Sequence, residues 1–280
     1  MTNDLTNKEA LISYLKSHGL WAKHGLGQNF LVDREALDKI IDAADLKKSD
    51  FVIEVGPGLG VLTQELIGNA GKVIAVELDN RLAELLEENI PDPRLQIINA
   101  DILKSNIPQI IDSRPYKVVA NIPYYITSKI IGLFLTQEKK PESIVLLVQK
   151  EVAERITAKP GSMSMLALSV QDYGQPEIVG IVPKESFFPS PEVDSAILRI
   201  GDIRSRLQGI DEKEFFRLIH IGFASKRKTL ANNLSAGLHI DKQQASGIIK
   251  SIGLNENVRA QELGLEDWKA LARGIMNQEL

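Results

Sequence analysis

The chain has 280 residues, 44 % of them apolar, which is enough for one large domain with a smaller companion and too apolar for a disordered chain. It contains no Cys and only four His (His18, His24, His220 and His239), so disulfides, thiolate zinc sites and Cys nucleophiles are excluded and no metal site is expected. A net charge of −4 argues against holding a polyanion by bulk charge, and neither a leader peptide nor an apolar run of membrane-spanning length is visible, so a cytoplasmic protein without membrane contact is expected.

From residue 51 to about 182, short apolar runs alternate with segments of helical period, the pattern of a mostly parallel sheet flanked by helices. FVIEV (51–55), KVIAVEL (72–78), LQIIN (95–99), YKVVA (116–120) and SIVLLVQ (143–149) read as strands. The intervening VLTQELIGN, NRLAELLEENI, TSKIIGLFL and EVAERITA read as helices, with Asp79 and Thr127 as N-caps. EIVGIV (177–182) and SAILRI (195–200) have no crossover helix between them, which predicts an antiparallel finish to the sheet.

The first strand runs into EVGPGLG, carrying Glu54, Gly56, Gly58 and Gly60. Such glycines let a chain turn tightly and bring backbone N–H groups against a ligand. Glu77 closes the second strand, where a carboxylate can accept from two ribose hydroxyls. Asp101 follows the third strand and can accept from an adenine amine or cap a helix. Three successive strand ends carrying Gly, Glu and Asp predict a nucleoside site. A dinucleotide and S-adenosylmethionine (SAM) both contain adenosine, so these residues leave both open.

The fourth strand end is more specific. It reads ANIPYYIT, with Asn121, Ile122, Pro123 and Tyr124 opening into the crevice beside the cofactor. An exocyclic adenine amine is a poor nucleophile because its lone pair is delocalised into the ring. Two acceptors, the Asn121 side-chain oxygen and the Ile122 carbonyl, localise that lone pair, with Pro123 fixing the backbone and Tyr124 offering a stacking face. A second aromatic cluster, SFFPSPEVDSAIL (186–198), is stiffened by Pro189 and Pro191 and is expected to present Phe187 or Phe188 to the pocket. Phe187 and Tyr124 would then sandwich a base drawn out of its stack.

Beyond Gly201 the chain is helical in period: EKEFFRLIHIGFASKRKTLANNL, DKQQASGIIKSIG and LEDWKALARGI, with Gly237, Gly253 and Gly264 as stops. The expected domains are 1–201, holding the cofactor, and 202–280, an all-helical lobe. Residues 202–280 carry a net +2, leaving −6 on the rest. Lys213, Arg217, Lys226, Arg227 and Lys228 form a local basic patch with only Glu214 opposing it.

The stretches GLGQNFLVD (25–33), EVGPGLGVLT, VIAVELD, NADIL, ANIPYYIT, VQKEVAERI, FFPSPEVDSAI and FASKRKTLANNL together resemble the ribosomal RNA adenine dimethyltransferase family, most closely its small-subunit branch. The resemblance covers nearly the whole chain. It implies a Rossmann-like α/β methyltransferase sheet whose SAM is surrounded by Gln28, Asn29, Leu31, Gly56, Gly58, Glu77, Leu78, Asp101, Ile102 and Asn121. It further implies dimethylation of two adjacent adenines in a hairpin loop near the 3′ end of small-subunit RNA, by a monomer acting on an assembling ribosomal particle. RNA contact is then expected from Arg217, Lys226, Arg227 and Lys228. The family often has Leu at the position of Ile122, where only the carbonyl is used, and a pI of 5.7 is low for an RNA enzyme. The rivals are the antibiotic-resistance branch that methylates a large-subunit adenine, a non-catalytic nucleic-acid binder related to mitochondrial transcription factors, and an NAD-dependent oxidoreductase.

Overall fold

A computed structural model of the protein describes residues 4–21 and 27–276; Gly25 and Leu26 of the GLGQNFLVD stretch lie outside them. The chain opens with α1 (Lys8–Ser17), capped by the Asn7 side chain, then β1 (Phe30–Leu31) and α2 (Arg34–Ala44), capped by Asp33. Helix α2 buries Ala36, Leu37, Ile40, Ala43 and Ala44 on one face. Leu37 and Ile40 are fully enclosed, each contributing about 1.5–3 kcal/mol of burial.

Five parallel strands follow: β2 (Phe51–Val55), β3 (Lys72–Glu77), β4 (Leu95–Asn99), β5 (Lys117–Asn121) and β6 (Ser143–Gln149). The helices between them are α3 (Val61–Asn69), α4 (Asn80–Asn89), α5 (Ile107–Ile111) and α6 (Thr127–Leu135). Strands covered on both faces are largely apolar, and Val118, Val119 and Ala120 are fully buried. After α7 (Lys150–Ile156) and α8 (Met165–Gln171) come β7 (Gln175–Val182), β8 (Phe187–Phe188) and β9 (Ser195–Gly201). Strand β9 pairs antiparallel with both β6 and β7, the finish that the missing crossover helix predicts. The sheet order is β4-β3-β2-β5-β6-β9-β7. The chain leaves β2 toward β3 on one side and returns to β5 on the other, so a crevice opens between the carboxyl ends of β2 and β5.

The separate β1–β8 ladder pairs Phe30 with Phe188 and Leu31 with Phe187. Ser186 Oγ reinforces it by donating to the Asp33 carboxylate at 2.5 Å. The stretch QNFL is thereby fixed beside the segment that leads into β9.

The remaining helices are α9 (Glu212–Gly222), α10 (Leu230–Leu238), α11 (Lys242–Ser251) and α12 (Leu265–Met276). The chain divides into two compact units, one of Met1–Ala153 with Gln175–Ile203 and one of Glu154–Gly174 with Arg204–Leu280. The segment 154–174, expected with the sheet, joins the helical unit because Met163, Ala167 and Leu168 pack into the core around Trp268, Phe215 and Leu234.

Asp79 caps α4 as expected, accepting from the Arg81 N–H at 3.0 Å. Thr127 is not a cap: it is the first residue of α6, and its hydroxyl donates to the Tyr124 carbonyl at 3.0 Å. Of the expected stops, Gly253 follows α11 with φ +82°, whereas Gly237 lies inside α10 and Gly264 precedes α12. His239 ends α10 in the left-handed region.

Candidate active site

A solvent-open cleft lies at the carboxyl ends of β2, β3 and β5, with about 1180 Å³ of free space in and in front of it. Of the residues expected around a cofactor, Gln28, Asn29, Leu31, Gly56, Gly58, Glu77, Leu78, Asp101, Ile102 and Asn121 all line it.

The glycine loop forms one wall. Gly56 has φ +67° and open space where a Cβ would stand, which leaves its backbone bare toward the cleft. Gly60 serves packing instead, since an added Cβ would lie 2.6 Å from Leu86 Cδ1 and 2.8 Å from Ile90 Cδ1. The loop is tied to the next strand by Glu77, whose Oε2 accepts from the Gly58 N–H at 3.0 Å and whose Oε1 accepts from the Asp79 N–H at 2.9 Å. Burial raises the Glu77 pKa, against the pull of those two backbone bonds. Asp101 plays both parts open to it, lining the cleft while its Oδ1 accepts from the Leu103 N–H at 3.0 Å to cap the turn Ile102–Lys104.

Beneath the loop, Glu54 is 1 % exposed and its Oε2 has no hydrogen-bond partner. Burial pushes the Glu54 carboxyl up to about 8, against an opposing pull from the Thr63 side chain and with the nearby Glu77 charge adding a little to the rise.

On the opposite wall, Asn121 ends β5 and its Nδ2 donates to the Asn29 carbonyl at 3.3 Å. That bond commits the amide nitrogen to the protein and leaves the side-chain oxygen as the free acceptor. Asn29 donates in turn to the Gly27 carbonyl at 3.3 Å. Tyr124, half-buried at the cleft wall, is held by its backbone through Thr127 and by its hydroxyl, 2.6 Å from Ser195 Oγ. Burial raises the Tyr124 phenol pKa.

Phe187 is a correction. It is 1 % exposed and packs in the core with Leu31, Leu37 and Val182, so its ring is not offered to a base. In an extended pair, consecutive side chains face opposite ways, and Phe188 is the half-buried partner, with Lys8 Nζ 5.9 Å from its ring. The expected stack therefore keeps only its Tyr124 face. Tyr125, 62 % exposed beside Gly27, is a cleft residue that the sequence did not single out. Glu54 was visible in the motif, and its signal was a carboxylate inside an otherwise apolar strand. Nothing in the sequence marks Ser195.

In the helical unit, Lys226, Arg227 and Lys228 are exposed on the turn between α9 and α10. Asn233, 5 % exposed, braces that turn by donating to the carbonyls of Gly222 at 2.6 Å and Ser225 at 3.1 Å. Arg217 differs from its neighbours, being paired with Glu214 at 2.8 Å.

A doubly wound sheet with a glycine loop, an acidic residue at the next strand end and Asn-Ile-Pro-Tyr after β5 defines a Rossmann-like methyltransferase. The family model for ribosomal RNA adenine dimethylase matches residues 20–275, and the chain belongs to that family. It is 48 % identical over 260 residues to "Ribosomal RNA small subunit methyltransferase A" of Dehalococcoides mccartyi, covering 92 % of this chain and 89 % of that protein. It is 37 % identical over 287 residues to the protein of the same name from Shouchella clausii, covering 98 % and 97 %. Among solved structures it is similar to a dimethyladenosine transferase from Plasmodium falciparum (TM-score 0.77, 26 % identity, 90 % of this chain and 98 % of that one). The 23S rRNA methyltransferase ErmE is also similar (TM-score 0.73, 28 % identity, 89 % and 100 %).

Proposed function

We propose that the protein transfers methyl groups from SAM to the exocyclic amines of two adjacent adenines in a hairpin loop near the 3′ end of small-subunit ribosomal RNA, as a cytoplasmic monomer acting on an assembling particle. The observation that carries this reading is the Asn121 amide, whose nitrogen is spent on Asn29 so that its oxygen is kept for a donor in the cleft.

The residues present fit SAM. Glu77 would accept from the ribose hydroxyls and Asp101 from the adenine amine, with Leu78 and Ile102 beside them in the cleft lining to meet the base. The open backbone at Gly56 leaves room for the ligand. Bound SAM supplies an electrophilic methyl group on a sulfonium.

The protein's task is to prepare the amine. Asn121 Oδ1 and the Ile122 carbonyl accept its two hydrogens, Pro123 holds that backbone with φ −57°, and the Tyr124 ring carries the base. No side-chain base is required, because the amine sheds a proton after it has been methylated. The charged turn Lys226–Lys228 docks RNA phosphates, with Arg217 joining them once its Glu214 pairing is exchanged for phosphate. The sheet unit thus serves cofactor and chemistry, and the helical unit serves docking.

The name carried by relatives at 37 % and 48 % identity supports the small-subunit target over the large-subunit one. Incubation with labelled SAM and each unmethylated ribosomal subunit, followed by mapping of the modified bases, tests the reading. Dimethylated adenines in small-subunit RNA are expected; label confined to the large subunit, or none on either, overturns it.

A further inference from the structure

The Tyr124 ring is the aromatic face that the Asn-Ile-Pro-Tyr motif itself offers to the cleft, and its aim is not set by that turn alone. The turn Tyr124–Ile126 is three residues long and has no side-chain cap. The Tyr124 carbonyl is held by the Thr127 hydroxyl, which fixes the backbone but leaves the ring free to rotate about its side-chain bonds. Among the described residues, the hydrogen bond that fixes the far end of the ring is the 2.6 Å contact between the Tyr124 hydroxyl and Ser195 Oγ.

Ser195 is built as an anchor. It is fully buried and is the first residue of β9, paired with Gln149 of β6 on one side and Val182 of β7 on the other. The preceding Asp194 adds two ties, its carboxylate accepting from the Lys184 N–H at 3.1 Å and its carbonyl from the Lys150 N–H at 3.0 Å. A hydroxyl so placed has little freedom, whereas the half-buried tyrosine has more. The bond therefore passes the rigidity of the antiparallel part of the sheet to a ring 71 positions earlier in the chain.

We propose that Ser195 is a positioning residue for methyl transfer: through the Tyr124 hydroxyl it holds the aromatic face against which the target adenine stacks. The inference rests on the role given to Tyr124 above and extends it to a residue that touches neither cofactor nor base. Its chemical content is that the tyrosine is used for both its parts, the ring for the base and the hydroxyl for the anchor. Phenylalanine is then not an adequate substitute, although it keeps the stacking surface. A ring that drifts by an ångström loses the alignment of amine and methyl group without losing the cofactor site.

The test is a double-mutant cycle on the full chain, read as single-turnover methylation of unmethylated small ribosomal subunits at saturating SAM, with SAM affinity measured separately by calorimetry. Ser195→Ala and Tyr124→Phe should each slow transfer about tenfold, the worth of one hydrogen bond in transition-state alignment. The double variant should be no slower than either single, because both remove the same bond. SAM affinity should stay at the parental value in all three, and Ser195→Thr, which keeps the hydroxyl, should recover most of the rate. Should Ser195→Ala fail to fold, Tyr124→Phe and its pairing with Ser195→Thr interrogate the same bond from the other side. Multiplicative losses in the double variant, or parental rates in both single variants while Tyr124→Ala is crippled, overturn the anchor alone. A parental rate in Tyr124→Ala overturns the stacking role on which the anchor depends.

Discussion

Three carboxyl and amide side chains carry most of what can be tested at the level of single residues. Glu77 both faces the cleft and pins the Gly58 N–H, so Glu77→Ala removes a ribose acceptor and loosens the glycine loop together. A loss of about 2–4 kcal/mol in SAM binding is expected by calorimetry. Glu54 keeps its proton to about pH 8 in the folded protein, whereas an ordinary glutamate in the unfolded chain releases it near 4.5. Between those values the unfolded state binds fewer protons, so Glu54 subtracts stability as the pH rises through this window. Glu54→Gln cannot ionise. The stability of the variant relative to the parent should therefore increase from about pH 5 to about pH 8, measured by urea unfolding at each pH. Asn121→Ala leaves the amine with one acceptor fewer, and the single-turnover rate at saturating SAM should fall roughly a hundredfold or more.

At the level of elements, what could be read in advance follows from how each element is stabilised. Buried parallel strands are nearly continuous apolar runs, so FVIEV and SIVLLVQ were legible to the residue, and LQIIN, the half-exposed edge strand, was legible from its shorter Ile-Ile run between turns. The two-residue strands Phe30–Leu31 and Phe187–Phe188 are too short to show a period, and their pairing was invisible. The error at Phe187 has the same origin. Two adjacent aromatics on an extended segment must face opposite ways, and only the partner strand decides which faces the core. Helix α8 was missed because MLALSVQ is seven residues long and lies within one short apolar run. The basic turn between α9 and α10 was legible as charge but not as shape, since its brace is the buried Asn233 side chain. Replacing Arg227 and Lys228 together with Glu should weaken particle binding and flatten its dependence on salt, while SAM affinity stays unchanged. Normal binding at physiological salt would mean that this turn is only a solvated surface.

For the molecule as a whole, the division into a sheet unit and a helical unit gives each its own core. The two tryptophans report on them unequally: Trp21 is 72 % exposed, whereas Trp268 is fully buried among the helices and stacks on Phe223. A Cβ at Gly222 would collide with the Trp268 ring, so Gly222→Ala should cost the helical unit about 1–3 kcal/mol through overpacking. The expected result is a lower denaturation midpoint in tryptophan emission with SAM affinity intact.

The β1–β8 ladder also sets a clock on the ribosome that makes this chain. Asp33 leaves the exit tunnel early but meets Ser186 only 153 positions later. At roughly 5–20 residues per second that wait is on the order of ten to thirty seconds. By the later part of that interval the nascent protein has gained its glycine loop and both acidic strand ends, yet still lacks the segment that clamps QNFL in place. Phe30 and Leu31, later buried, stay open to chaperones or to mispairing. The wall that carries Asn29 is therefore completed late in synthesis, when the stretch around Phe188 emerges to pair with Phe30 and Leu31.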